Sequence, residues 1–136
     1  MIESLDAYEL SARRIVMYPD LNAAGRLFGG RLMAWMDEAC AITAMRIMGT
    51  PRIVTKKFGE AVFEAPGLVG DVVEIWCRPL RFGKTSLTLS CKVAVRAVAP
   101  ERVTPISRST VVYVALDEHG RPTPWQRGPR EGPADP

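Results

Sequence analysis

Residues 27 to 49 read LFGGRLMAWMDEACAITAMRIMG, and no other stretch restricts the fold as tightly. A helix drawn from about Arg31 to Met48 is apolar around nearly its whole circumference. It stops where Gly49 supplies a C-cap and Pro51 forbids continuation. Such a helix cannot lie on a surface with one face in water. It must be enclosed, by a strongly curved sheet on one side and by a second chain on another.

Two carboxylates, Asp37 and Glu38, sit side by side near the middle of this helix. Burying an unpaired carboxylate is costly, so each must be paired or used. At about 100° per residue, Asp37 shares its direction with Met33, Ala34, Cys40, Ala41, Ala44 and Met48, the small-residue face. Glu38 lies in line with Arg31 and has Arg46 on its flank, so an ion pair or solvent accounts for it. Asp37 has no basic residue three or four positions away on either side. Two readings stay open: a carboxylate satisfied from elsewhere in the fold, or a reactive one facing a slot that the alanines leave free.

Gly29 and Gly30 stand where the helix presents unpaired N–H groups and the positive end of its dipole. Glycines there let a ligand come close to the backbone, so an oxygen gaining negative charge could be held. A plain tight turn explains them equally well. As a phosphate loop the segment fails, because GRLFGGRL lacks the Lys-Ser/Thr ending.

Around the helix the pattern is that of strands. ARRIVM, residues 12 to 17, is a short β-branched run ended by Pro19, and YPDLNAAGRLFGG is loop. After the helix the period becomes alternating. IVTKKFGEAVFEAP is a strand with an irregularity near Gly59. DVVEIWCRPLRF and SLTLSCKVAVRAV form a hairpin across the turn FGKTS, and RSTVVYVAL closes the set. In the second hairpin strand Leu87, Leu89, Cys91, Val93 and Val95 share one face. One helix and about five strands on short connections give an α+β fold, a curved antiparallel sheet around one long central helix.

At 136 residues this is one domain's worth of chain. Residues 1–124 are read as the single domain, and residues 125–136, rich in proline, glycine and charge, as a C-terminal tail. The net charge of +3 comes from interspersed residues, too mild and mixed for a nucleic-acid binder. Cys40, Cys77 and Cys91 form no CxxC or Cys/His spacing and read as small buried hydrophobes in a reducing compartment, with no metal site expected. The start lacks the basic-then-apolar order of a signal peptide, and no apolar run approaches the length that spans a bilayer. A soluble cytoplasmic protein without membrane association is the expectation.

The segments DLNAAGRLFGGRLMAWMDEA, VT, VFEAPGLVGDVVEI, FGKTS and VALDEHGRP follow one another at fitting distances. Together, over residues 14 to 124, they resemble the hotdog-fold acyl-coenzyme A thioesterases, in the bacterial acyl-CoA hydrolase branch related to the brain-type enzyme. The resemblance implies a sheet wrapped around the long helix, dimers joined edge to edge, and often a trimer of dimers, a hexamer. It also implies that Asn22 in the loop and Asp37 in the helix are the catalytic pair. No cofactor is expected, since coenzyme A is part of the substrate and product.

The implied reaction is hydrolysis of a thioester to an acid and free coenzyme A. Asp37 acts as general base on water or as nucleophile, Gly29 or Gly30 polarises the carbonyl through backbone N–H groups, and Asn22 orients the water or the carbonyl. Gly30 and Asp37 lie about 10 Å apart along a helix, too far to serve one thioester together. A composite site follows, with Asn22 and the glycine turn from one subunit and Asp37 from its neighbour. The phosphates and pantetheine arm of coenzyme A call for cations and hydroxyls, which Arg81, Lys84, Thr85 and Ser86 of the hairpin supply; an ordinary solvated hairpin tip is the plainer reading. Thr55 is expected to face the site, although packing alone explains a threonine in a strand. Hydratases on the same fold depend on an active-site histidine. The one histidine here, His119, lies in the turn DEHG and argues against that chemistry. Two alternatives remain: a non-catalytic acyl-CoA-binding module and a thioesterase acting on acyl carrier protein.

Overall fold

The computed structural model describes residue 5 and residues 7–125. Six antiparallel strands and one long helix follow the chain in the order β1 (Glu9–Ile15), α1 (Gly29–Met48), β2 (Ile53–Phe58), β3 (Val62–Phe63), β4 (Val72–Phe82), β5 (Ser86–Val98) and β6 (Glu101–Ala115). The sheet runs β1-β4-β5-β6-β2, and β3 also pairs with β6. Helix α1 touches β1, β2, β4, β5 and β6 alike, so the sheet curls around it as the all-round apolar pattern requires.

The helix starts two residues earlier than its periodicity suggests, and Gly29 and Gly30 form its first turn. Its end is as expected: Gly49 adopts φ 73° and its N–H bonds the Met45 carbonyl at 2.8 Å. Leu32, Trp35, Met36, Ala39, Cys40, Ala44 and Met48 are buried against inward residues of the sheet, among them Val73, Ile75, Leu87, Leu89, Val111 and Tyr113. The opposite side, with Ala34, Glu38 and Ile42, remains exposed in the single chain. Glu38 pairs with Arg14 of β1 rather than with its helical neighbours, because Arg31 turns to Asp20 and Arg46 to Glu9.

Three strands also differ from the sequence reading. The first strand spans Glu9–Ile15 instead of residues 12 to 17, since its register against β4 ends where Ile15 meets Val72. β6 begins at Glu101, seven residues before the expected run, because β5 offers partners along its whole length. The segment after α1 is two strands rather than one, parting at the irregularity expected near Gly59. At the break Gly59 approaches β6 so closely that a Cβ there would lie 2.7 Å from Thr110 Oγ1 and 3.0 Å from the Thr110 carbonyl, leaving space only for glycine.

Trp125, the first residue of the expected tail, packs on the body. Its indole N–H bonds the Ser86 carbonyl at 3.0 Å and its ring meets Phe82 at 5.9 Å between centroids. The rest of that tail lies outside the described residues. No helix of the described residues is long and apolar enough to cross a membrane.

Candidate active site

Asp37 is half-buried on α1 and bonded to two neutral hydroxyls. Tyr113 Oη donates to Asp37 Oδ1 at 2.7 Å and to the Asp37 main-chain carbonyl at 3.0 Å. Thr55 Oγ1 lies 3.0 Å from Oδ1 and 3.3 Å from Oδ2. Neither partner is a cation, so the carboxylate is fixed in orientation without being neutralised. Tyr113 is fully buried, and burial together with the adjacent Asp37 pushes its phenol well above the ordinary tyrosine range. It therefore stays a proton donor at any working pH.

Strand pairing explains why these side chains meet. Thr55 is the partner of Tyr113 across β2 and β6, and Tyr113 is the partner of Leu87 across β6 and β5, so the three form one row under α1. Thr55 faces the Asp37 carboxylate. Tyr113 is a residue that the sequence reading missed. The signal was available: in VVYVA the alternation that buries Val111 and Ala115 also turns residue 113 inward, toward the acidic helix.

The glycine turn and Asn22 form a second assembly. Phe28 is the N-cap and offers no side-chain bond, and the first turn holds no acidic residue, so the leading amides of α1 have no side-chain cap. Asn22 Oδ1 accepts from the N–H groups of Ala24 at 2.9 Å and Arg26 at 3.1 Å. Both of those partners are donors, so the oxygen is committed to the loop and the NH2 group is what Asn22 can offer a ligand. Asn22, Leu27, Gly29, Leu32, Phe63 and Pro66 line an open cleft of about 400 Å³, and Asp37 is not part of that lining. Within one chain the two expected catalytic groups thus stand in different places.

Exposed hydrophobic side chains lie on the segments that frame this cleft, and Phe63 is part of its lining. Tyr18, Phe28, Phe63, Leu68 and Val69 are all substantially exposed. Main-chain bonds tie their segments together, from Phe28 N to the Asp20 carbonyl, from Leu27 N to the Gly67 carbonyl and from Gly70 N to the Val16 carbonyl.

At the hairpin, Arg81 and Lys84 are exposed, while Thr85 and Ser86 are half-buried. The turn is braced rather than loose. Gly83 N bonds the Ser86 carbonyl at 2.9 Å, Ala115 N bonds the Thr85 carbonyl at 2.9 Å, and Trp125 lies across the base. Ser86 pairs with Val114, the neighbour of Tyr113, so the hairpin tip and Asp37 occupy the same end of the sheet. His119 is exposed in its turn beside Glu118.

The chain matches known proteins over most of its length. The family model described as the thioesterase superfamily matches residues 24–96. The acyl-CoA thioester hydrolase YciA of Salmonella typhimurium is 39% identical over 119 residues, which span 85% of this chain and 89% of that protein. The hexameric thioesterase y2039 from Yersinia pestis superposes with a TM-score of 0.83 at 36% identity, covering 90% of this chain and 99% of that one. An acyl-CoA hydrolase from Staphylococcus aureus, solved with butyryl coenzyme A, coenzyme A and coenzyme A disulfide, gives a TM-score of 0.80 at 29% identity, covering 85% and 70%.

Proposed function

The chain belongs to the thioesterase superfamily, and from that premise we propose that it is an acyl-CoA hydrolase of hotdog fold, releasing a free acid and coenzyme A. The observation that carries this reading is the Asp37 carboxylate, held by Tyr113 and Thr55 with no cation paired to it among the described residues. Such a group can take a proton from water or attack the thioester carbon itself.

The carbonyl is polarised by amides. Gly29, at the uncapped start of α1, and Asn22 line one cleft, and the leading N–H groups at Gly29 and the adjoining Gly30 with the NH2 of Asn22 suit an oxygen that gains negative charge as the carbon becomes tetrahedral. Asp37 lies about 10 Å further along the same helix, so it serves the cleft of another copy. The exposed apolar rim of the cleft and the free edge of β2, which carries Thr55, are the surfaces that such a neighbour would cover. Each dimer then holds two equivalent sites. The hexameric Yersinia pestis relative supports a trimer of these dimers.

Arg81, Lys84, Thr85 and Ser86 meet the phosphates and pantetheine arm of the substrate, on a tip held rigid by Trp125. Water is the other reactant, and the residues described supply base and donors without a further cofactor. The free, buried thiols support a reducing, cytoplasmic location.

The test is thiol release from a panel of acyl-CoAs of different chain lengths, run beside Asp37→Asn. Loss of a general base lowers turnover by about 10²–10⁴-fold. Equal turnover by the variant would remove Asp37 from the mechanism. Binding of acyl-CoA without turnover by the unaltered protein would identify a sensing module instead.

A further inference from the structure

Cys40, Cys77 and Cys91 are far apart in the chain, yet the fold brings them together. They come from α1, β4 and β5, and the hairpin register sets Cys77 directly opposite Cys91. All three are free and buried, their sulfurs lie within 4.8 Å of one another, and those of Cys40 and Cys77 are 3.4 Å apart. With a metal–sulfur bond of about 2.3 Å, a single centre bound by three sulfurs keeps them no more than about 4 Å apart. The trio is close to that geometry already.

Charge selects the ligand. Beside these thiols stand one another, the Tyr113 phenol near Cys40 and Cys77, and the hydroxyls of Ser11 and Thr43 at Cys77, none of them a cation. Cys40, hydrogen-bonded with Cys77 and cut off from water, is pushed well above the ordinary thiol range. Around the sulfurs lies the apolar core, with Met36, Ile75, Leu89 and Val93. Three thiolates on a monovalent or divalent ion would leave net negative charge in that core, which is costly. Three thiolates on a trivalent centre leave none.

We infer that Cys40, Cys77 and Cys91 form a binding site for a soft trivalent centre, arsenic(III) or antimony(III), bridging α1 to β4 and β5. For arsenious acid the exchange is As(OH)3 + 3 R–SH → As(SR)3 + 3 H2O. Three As–O and three S–H bonds break, three As–S and three O–H bonds form, and neither charge nor electrons change hands. Cys40 follows Asp37 by three residues on α1, so the bridge also pins the helix that carries the carboxylate.

The probe is arsenite, added to the reduced chain under anaerobic conditions. Because the site is enclosed, one arm incubates folded protein and a second refolds it from denaturant with arsenite present. The expected result in at least one arm is one arsenic per chain by native mass spectrometry, with arsenic–thiolate absorption in the near ultraviolet and a raised melting midpoint. Cys40→Ala and Cys91→Ala should each bind about tenfold more weakly or worse, having lost one arm of the chelate. Cys91→Val keeps the core filled if the alanine variant fails to fold. No uptake in either arm, equal uptake by the variants, or tighter binding of zinc than of arsenite would each overturn the proposal.

Discussion

Tyr113 Oη reaches both the Asp37 carboxylate, at 2.7 Å, and the Asp37 main-chain carbonyl, at 3.0 Å. One strand residue thereby fixes the side chain and the backbone of one helix residue. Orientation of the acid is thus set by β6, although the acid itself belongs to α1.

Tyr113→Phe tests that coupling. Losing the phenol should cost about 1 kcal/mol of stability, the net worth of a hydrogen bond, since Thr55 and solvent still serve a half-buried carboxylate. Turnover should fall by about tenfold or more as the carboxylate loses its fixed orientation, with KM little changed. Steady-state kinetics beside a denaturant melt would separate the two effects. An unchanged kcat would show that Thr55 alone orients Asp37.

Mixing two dead variants tests the composite site. Asn22→Ala and Asp37→Asn chains should each be inactive alone. After joint unfolding and refolding at equal amounts, half of the dimers pair unlike chains and carry one intact site each, so about a quarter of full activity should return. Failure to recover activity, with mixed dimers confirmed by mass, would place both groups in one chain's site.

Trp125 should matter to coenzyme A binding without touching the reaction. Trp125→Ala removes the ring from Phe82 and the donor from the Ser86 carbonyl. A loss of about 2 kcal/mol in stability is expected for a half-buried aromatic, below the value for a fully buried one. KM for acyl-CoA should rise several-fold as the tip with Lys84 loosens, while kcat stays near its original value. Titration calorimetry with coenzyme A alone would read the same weakening.

Acid sensitivity should trace to Glu74. This residue is fully buried on β4 and bonds Arg96 at 2.8 Å and Arg13 at 3.3 Å. Burial alone would raise its pKa, but hydrogen bonds and charge from Arg96 and Arg13 outweigh that and hold it below the usual carboxylate range. A native pKa below the unfolded value means that the pair's stabilisation is complete above the unfolded glutamate value of about 4.3. It is lost as pH falls through the lowered native value. Glu74→Gln should therefore melt lower than the unaltered chain at neutral pH and approach it in acid. Parallel melting curves at all pH values would remove Glu74 from the acid response.

The sequence by itself determined the enclosed helix, its Gly49 stop, the antiparallel hairpin and the presence of an acid without a helical partner. Each of these depends on periodicity and on neighbours within a few positions, which a linear chain records. Only the tertiary structure decided that Tyr113 and Thr55 hold Asp37, that Asn22 spends its oxygen on its own loop, that β6 begins as early as Glu101, and that three distant cysteines share one point in the core. These are consequences of strand register and of the helix lying across the sheet. They join residues that no local pattern connects, and they exist only once the chain has closed on itself.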